Sequence, residues 1–359
     1  THGSLYGQHF DASGNALWTP NGKLIFDLPG RSVNESAPVR LANGDVMLAV
    51  LSAASGVYNS DTVRAIRVDS NGDPVWAQPT LLSVNGPGIF GNCFYFSDPK
   101  GINSGDGAYF CYHGDSQGSN GYYVMQRVNG DGTAAFTVPG IAVPFNAGWG
   151  PHSIHPDGAN GMYVAWRCGN GAGACHRAVR VDNTGAPLWA DAATISDGGP
   201  GLSYAYTTIN DGTGSMISAW EQVGGDIAMA RFDNTGAFLW SPSPLFACNE
   251  SHEQATPAMT MNDGSLFVAW SDNRPPANNR DLYVQKFDLA TGAPQWTADG
   301  VATIQTNSYI PTARIVPSTN GSVIGIMDMS GPEKYCAMRL NGDGTMAWAQ
   351  PASFATANL

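Results

Sequence analysis

The sequence predicts an all-β fold, a β-propeller of four-stranded antiparallel blades, and three observations carry that prediction. A phrase of the form apolar residue, Asp or Asn, turn with Gly, then aromatic recurs along the whole chain. Its copies start at Phe10-Asp11, Val68-Asp69, Val128-Asn129, Val181-Asp182, Phe232-Asp233, Phe287-Asp288 and Leu340-Asn341, and end on Trp18, Trp76, Phe136, Trp189, Trp240, Trp296 and Trp348. These aromatics are 51–60 residues apart, a period that marks repeated supersecondary units. Between the phrases lie short alternating or apolar runs separated by Gly, Asn and Asp, with no sustained 3.6-residue periodicity.

One unit shows how the elements follow. Thr256–Met261 alternates, Asn262-Asp263-Gly264 is a turn, and Ser265–Trp270 is a more apolar run. After a polar loop, residues 281–287 alternate again, residues 288–292 turn, and a fourth run starts at Ala293. Four such strands form a meander that cannot bury both faces alone. Several packed face to face can. The phrase occurs seven times and the first two strands of the unit six times. The N-terminus begins at a third strand, Leu5–Phe10, and residues 352–356 supply a candidate first strand. The expectation is therefore seven blades, the last shared by both termini and thin, with six blades as the alternative. No linker divides the chain, so residues 1–359 read as a single domain.

Composition narrows the partners. The 359 residues carry 17 Lys plus Arg against 29 Asp plus Glu, a formal charge of −12. The basic residues are scattered, which excludes the basic stripe that nucleic acid or an anionic membrane requires. No run approaches the roughly 20 apolar residues of a membrane helix. The chain opens at Thr1 without an apolar leader, as a processed form would.

The six cysteines point to an oxidising compartment. Cys168 and Cys175 flank a Gly-rich hairpin tip, and Cys93 and Cys111 sit on successive strand-like runs, so both pairs suit disulfides. Cys248 and Cys336 fall in different repeats and read as free and buried. No CxxC pair is present, so no zinc site and no cofactor are expected.

The unit Trp270-Ser271-Asp272-Asn273-Arg274, then Tyr283-Val284-Gln285-Lys286-Phe287-Asp288, Gly292 and Trp296, resembles a repeat of secreted bacterial β-propeller proteins, W-x-D-x-R followed by Y-x-Q-[KR]-x-D-x-x-G. Its D-x-x-T-G-x-x-x-W core is similar to the tryptophan-docking repeat of quinoprotein-type propellers. The resemblance spans the chain but is met in full once. Other copies lack the Asp and Arg, as at Trp220-Glu221-Gln222 and Trp166-Arg167-Cys168. It implies the fold and export, and no specific chemistry.

The acidic turns resemble calcium loops only superficially. No bidentate Glu follows at the required offset. Asp or Asn bonding its own turn, with Gly at positive φ, accounts for them. A sialidase-type Asp box fails as well, because Gly stands three residues after Asp and not two.

The loops that lead into innermost strands gather at one mouth of a propeller. Here they are residues 32–38, 85–92, 146–152, 198–204, 249–257 and 307–311, and they vary while the framework repeats. They carry Glu35, Trp149, His152, Tyr204, Glu250, His252, Glu253 and Tyr309 as candidate ligand-binding residues. Aromatics beside carboxylates and amides suit sugars. His152 and His155, three apart on a strand, face opposite sides and make no metal clamp. No catalytic motif is recognised, and no catalytic residue is assigned. Three functions stand open: a secreted or cell-surface module binding glycan or protein, an extracellular hydrolase or lyase using Glu35, Glu250, His252 and Glu253, or a subunit of a larger surface assembly.

Overall fold

The computed structural model describes residues 3–11, 15–54, 57, 60–85, 93–116, 121–144, 152–168, 175–196, 205–222, 224–275, 280–305, 313–328 and 333–355. Every element among them is a strand. β1 (Leu5–Gly7) and β2 (Lys23–Phe26) form a two-stranded sheet. β3 (Arg31–Arg40), β4 (Val46–Ala54), β5 (Thr62–Val68) and β6 (Thr80–Val84) form a four-stranded meander. β7 (Cys93–Ser104), β8 (Gly107–Ser116), β9 (Tyr122–Val128) and β10 (Ile141–Ala142) form the next. β11 (His152–Pro156), β12 (Met162–Cys168), β13 (Cys175–Val181) and β14 (Ala193–Ser196) follow, then β15 (Tyr206–Asn210), β16 (Met216–Glu221), β17 (Ile227–Phe232) and β18 (Leu245–Cys248). The last two are β19 (Gln254–Asn262), β20 (Ser265–Asp272), β21 (Asp281–Asp288), β22 (Val301–Ile304), and β23 (Ala313–Pro317), β24 (Val323–Asp328), β25 (Glu333–Leu340), β26 (Ala352–Ala355). These antiparallel four-stranded meanders are the blades of a β-propeller.

Seven sheets result, six of four strands and one of two. The thin sheet is the one that begins the chain, as its strand count requires. One detail is corrected. Residues 352–356 do not supply a first strand beside β1. Ala352–Ala355 instead pairs with β25, Cys336 opposite Ser353, as the fourth strand of the last meander.

Chain contacts group residues 1–168 with 178–192, and residues 169–177 with 193–359. In the first group β3 lies against β7 and β7 against β11; in the second, β15 lies against β19 and β19 against β23. First strands thus neighbour first strands. The second strands are buried on both faces, so Met47–Leu51 and Leu266–Ser271 read as continuous apolar or small runs and not as alternation.

The repeated phrase is a turn and a joint at once. Asp182 Oδ1 accepts the amides of Thr184 and Ala186 at 2.8 and 3.0 Å, and Asp233 Oδ1 those of Thr235 and Ala237 at 2.8 and 3.1 Å. Gly72, Gly132, Gly185, Gly236, Gly292 and Gly344 take φ between 71° and 90°, where a side chain is strained. The aromatic at the end of one phrase then reaches the turn of the next. Trp76 Nε1 donates to Gly130 O at 3.1 Å, Trp240 Nε1 to Leu289 O at 3.1 Å and Trp296 Nε1 to Gly342 O at 3.2 Å. A Cβ on Gly132 or Gly344 would stand 2.9 Å from the indole, so Gly also admits the ring. The third-strand base converges there: Arg67 Nη1 and Arg231 Nη1 donate to the same two carbonyls, Gly130 O and Leu289 O, at 2.7 and 2.8 Å. Each also pairs with a carboxylate of its own sheet, Asp45 and Asp211, both at 2.7 Å.

The Gln before that base is structural too. Gln285 Oε1 accepts the amides of Lys286 and Trp296, and its Nε2 donates to Thr297 O. Gln8 makes the equivalent contacts, and Gln126 does too except that its Nε2 donates to the aromatic's own carbonyl, Phe136 O. In the one full W-x-D-x-R copy, the Asp272 carboxylate accepts Trp270 Nε1 at 3.0 Å and Arg274 Nη2 at 2.7 Å. Arg274 stacks 3.9 Å over the Tyr283 ring.

Cys168 and Cys175 are disulfide-bonded. Cys93 and Cys111 are both free, correcting the second expected bridge. The register explains it: Cys93 stands opposite Ser116, while Cys111 stands opposite Lys100. Five residues of strand separate them, roughly 17 Å at about 3.3 Å per residue, beyond disulfide reach. Cys248 and Cys336 are free and buried as expected.

Two outcomes follow. Trp240→Ala removes an indole that is 2% exposed and docked on the next turn, and is expected to cost about 3–5 kcal/mol in urea unfolding. Asp272→Ala takes the acceptor from buried Trp270 Nε1 and from the partly buried Arg274, and is expected to cost about 3 kcal/mol. Asp272→Asn, which keeps an acceptor for Trp270, should cost measurably less.

Candidate functional site

The described candidates fall on three segments. Trp149, Tyr204 and Tyr309 lie outside the described residues. Glu35 and His152 are not on loops: Glu35 belongs to β3 and His152 opens β11. The structure joins both to a residue that sequence reasoning passed over, Asp98 of β7.

Asp98 sits at a break in the β7–β8 register between Ser97 and Lys100, with φ of 50°. The bulge turns its carboxylate out of the ladder. Glu35 Oε2 accepts the Asp98 amide at 2.6 Å. Asp98 Oδ1 pairs with Lys100 Nζ at 2.5 Å, and Oδ2 lies 3.3 Å from Nδ1 of buried His152. His152 Nε2 stands 3.2 Å from Cys111 O, and its ring packs on Tyr123 with centroids 4.6 Å apart. Burial acts to raise the Asp98 pKa, but His152 and Lys100 outweigh it and hold the carboxyl at about 2.

A second bulge makes a comparable brace. Thr256 of β19 has φ of 51° beside the break between Ala255 and Ala258. Its Oγ1 accepts the amide of Ala313, the first residue of β23, at 3.4 Å. Glu35 likewise lies beside a break in β3 and reaches the next first strand. Bulge residues therefore bridge neighbouring first strands in three places. Both Asp98 and Thr256 precede a proline, Pro99 and Pro257. That recurring residue-Pro pair is the sequence signal that could have found them.

Glu250, His252 and Glu253 form a turn ahead of β19. Glu253 Oε2 pairs with Arg280 at 2.7 Å, and its amide donates to Asn273 Oδ1 at 2.8 Å. Gln254 Nε2 donates to His252 O at 2.5 Å, so the peptide of this loop is anchored by buried Gln254. His252 Nδ1 lies 3.5 Å from Ser251 Oγ.

The start of β7 holds a second polar group. Tyr95 is 47% exposed, and its hydroxyl bonds to Asp115, its partner across β7 and β8, which raises the phenol to about 12. Asp115 is buried, and among the described residues its Oδ1 has no hydrogen-bond partner. Asp61 accepts the Phe96 amide at 3.0 Å. Burial raises its carboxyl, opposed by that bond and by Arg31. Burial, with the charges of Asp61 and Asp115, pushes the Cys93 thiol up to about 12, so it is not a thiolate nucleophile at neutral pH. No group of three or more metal-ligating side chains occurs among the described residues. No described helix is long and apolar enough to cross a membrane.

The sequence matches no protein-family model and no curated protein. Among solved structures, a Dyadobacter fermentans protein of unknown function is 11% identical over 88% of this chain and 96% of its own, with a TM-score of 0.42. A levansucrase mutant of B. megaterium is 11% identical over 99% and 89%, at 0.38. The Aleuria aurantia lectin, solved with Fucα1-6GlcNAc, is 12% identical over 91% and 96%, at 0.39. At these identities and scores, none of them speaks for a ligand or a reaction here.

The Asp98 pairing sets a pH dependence. A carboxyl whose pKa is depressed on folding adds stability above its unfolded value, near 3.9, and that contribution fades as pH falls toward about 2. The urea midpoint of Asp98→Asn should therefore fall below wild type at pH 5, and the gap should narrow steadily between pH 4 and pH 2.

Proposed function

We propose that the chain is a secreted or cell-surface binding module that holds a glycan on the face where the first strands begin. The observation that carries this reading is the pair Tyr95 and Asp115. An exposed phenol ring stands beside a buried carboxylate oxygen that has no partner among the described residues. A ring offers its face to the apolar side of a sugar, and an unpaired carboxylate oxygen accepts a hydroxyl. The Cys168–Cys175 disulfide suits an extracellular setting.

Binding without catalysis is supported by the state of the nearby acids and bases. Asp98 is held near 2, far below what a general acid at neutral pH needs. His152 has Asp98 3.3 Å from one ring nitrogen and a main-chain carbonyl 3.2 Å from the other, so it braces β11 against β7 and β8.

A second reading, an extracellular hydrolase or lyase, is favoured by one observation. Asp61 is raised by burial, and it and Asp115 both act on Cys93, so an acid with its pKa pushed up and a second carboxylate share one neighbourhood.

A glycan array with the folded chain, followed by titration of hits, tests both. Binding is expected, with affinity reduced at least about tenfold in Tyr95→Ala and in Asp115→Asn, and no release of reducing ends. An array without hits would overturn the glycan reading. Turnover of a hit, abolished in Asp61→Asn, would replace it with the enzyme.

A further inference from the structure

Two guanidiniums meet on one hydroxyl at the end of a sheet where its first strand begins. Arg31 opens β3 and Thr62 opens β5. Arg31 Nη2 donates to Ser52 O at 2.6 Å, to Ser60 O at 2.5 Å and to Thr62 Oγ1 at 3.1 Å. Arg64 Nη1 donates to the same Thr62 Oγ1 at 2.5 Å, its one hydrogen bond among the described residues. A guanidinium carries five N–H donors, so most of those on the partly buried Arg64 find no protein acceptor there. All these residues belong to the first group of chain contacts.

Charge is as uneven as the hydrogen bonding. Asp61 acts on Arg31 and supports its charge against burial. Arg64 has no such acid among the described residues: burial lowers its pKa, and the charge of Arg31 lowers it further. Arg67, three residues on, has Asp45 at 2.7 Å, and Arg180, Arg231 and Arg274 each hold an Asp within 2.9 Å. Nor does the repeat need a cation at this place. Four residues before the phrase, the other third strands carry Tyr6, Val124, Ala228, Tyr283 and Cys336, and Arg177 alone repeats the guanidinium.

Given the glycan reading, on which this rests, we infer that Arg31 and Arg64 form an oxyanion site and that the glycan is an acidic one, with a carboxylate or sulfate group seated against the two guanidiniums. The site adjoins the proposed binding face. Asp61, beside Thr62 in the chain, accepts the amide of Phe96, the neighbour of Tyr95. A planar guanidinium fork matches a pair of carboxylate or sulfate oxygens. Such a group supplies the acceptors that Arg64 lacks and offsets the repulsion between two like charges. The net charge of −12 opposes a densely charged polyanion, so isolated acidic groups on an otherwise neutral glycan fit best.

The test is a glycan array of neutral, uronate-bearing and sulfated oligosaccharides of equal length, followed by titration of the hits at about 0.15 M salt. Acidic hits are expected, and Arg64→Leu should weaken them at least about tenfold while keeping the wild-type urea midpoint. Arg64→Lys, which keeps the charge and loses the fork, should fall between. Arg40→Ala removes an exposed cation of the same sheet and should leave affinity unchanged. Carboxyl reduction and desulfation of a hit tell which oxyanion is held. Hits confined to neutral glycans, acidic hits bound equally by Arg64→Leu, or an equal loss in Arg40→Ala would overturn the oxyanion site and leave the glycan reading standing. An array without hits would overturn both.

Discussion

The structure depends on one joint, the indole of one sheet seated on the glycine turn of the next. The ring cannot approach if the turn carries a Cβ, and the turn cannot close at positive φ without Gly. The carbonyl that accepts the indole N–H also accepts the third-strand Arg at Gly130 and at Leu289. That Arg is in turn held by an Asp of its own sheet. Apolar contact, a hydrogen bond and an ion pair thus meet at one place, and the place recurs along the chain. A meander with two apolar faces becomes stable only when neighbours cover it, and the joint fixes the neighbour's register.

The same economy explains why most of the fold was legible and the site was not. The phrase keeps a near-constant spacing because its residues touch one another and the next turn, so a repeat in sequence is a repeat in space. The disulfide at Cys168 and Cys175 was legible because a hairpin tip brings its flanks together. Cys93 and Cys111 lie on paired strands, but pairing alone does not set register. A bulge after Ser97 and five residues of offset decide that pair, and neither is visible in residue types. The role of residues 352–355 was misread for a related reason: an outer strand and an inner strand of this length have similar alternation, and only the partner tells them apart.

The first strands carry a different logic from the turns. Their bulges, at Glu35, Asp98 and Thr256, turn polar side chains across to the next first strand. Two of the predicted ligand-binding residues, Glu35 and His152, are consumed in this way. His152 reads as a candidate because it ends a loop leading into an innermost strand, yet its burial and two contacts make it a strut. The residue that links them, Asp98, carries no sequence motif of its own beyond the proline that follows it. Positive φ at Asp98 is mildly costly, and at β-branched Thr256 it is an outlier. Such strain persists only where surrounding contacts over-determine it, and here those contacts are the braces themselves.

Tyr95 and Asp115 differ from those struts in a way that bears on function. In the brace both carboxylate oxygens of Asp98 face a cation-bearing side chain, Oδ1 toward Lys100 and Oδ2 toward His152. Asp115 leaves one buried oxygen open toward the described surroundings while its other contact holds an exposed ring in place. Leaving a carboxylate oxygen unpaired in a buried position costs about 1–3 kcal/mol. A fold whose turn aspartates and Asp272 are held by hydrogen bonds carries that cost at Asp115, near the end of β8. Under the proposed glycan reading, a ligand hydroxyl would complete the bond.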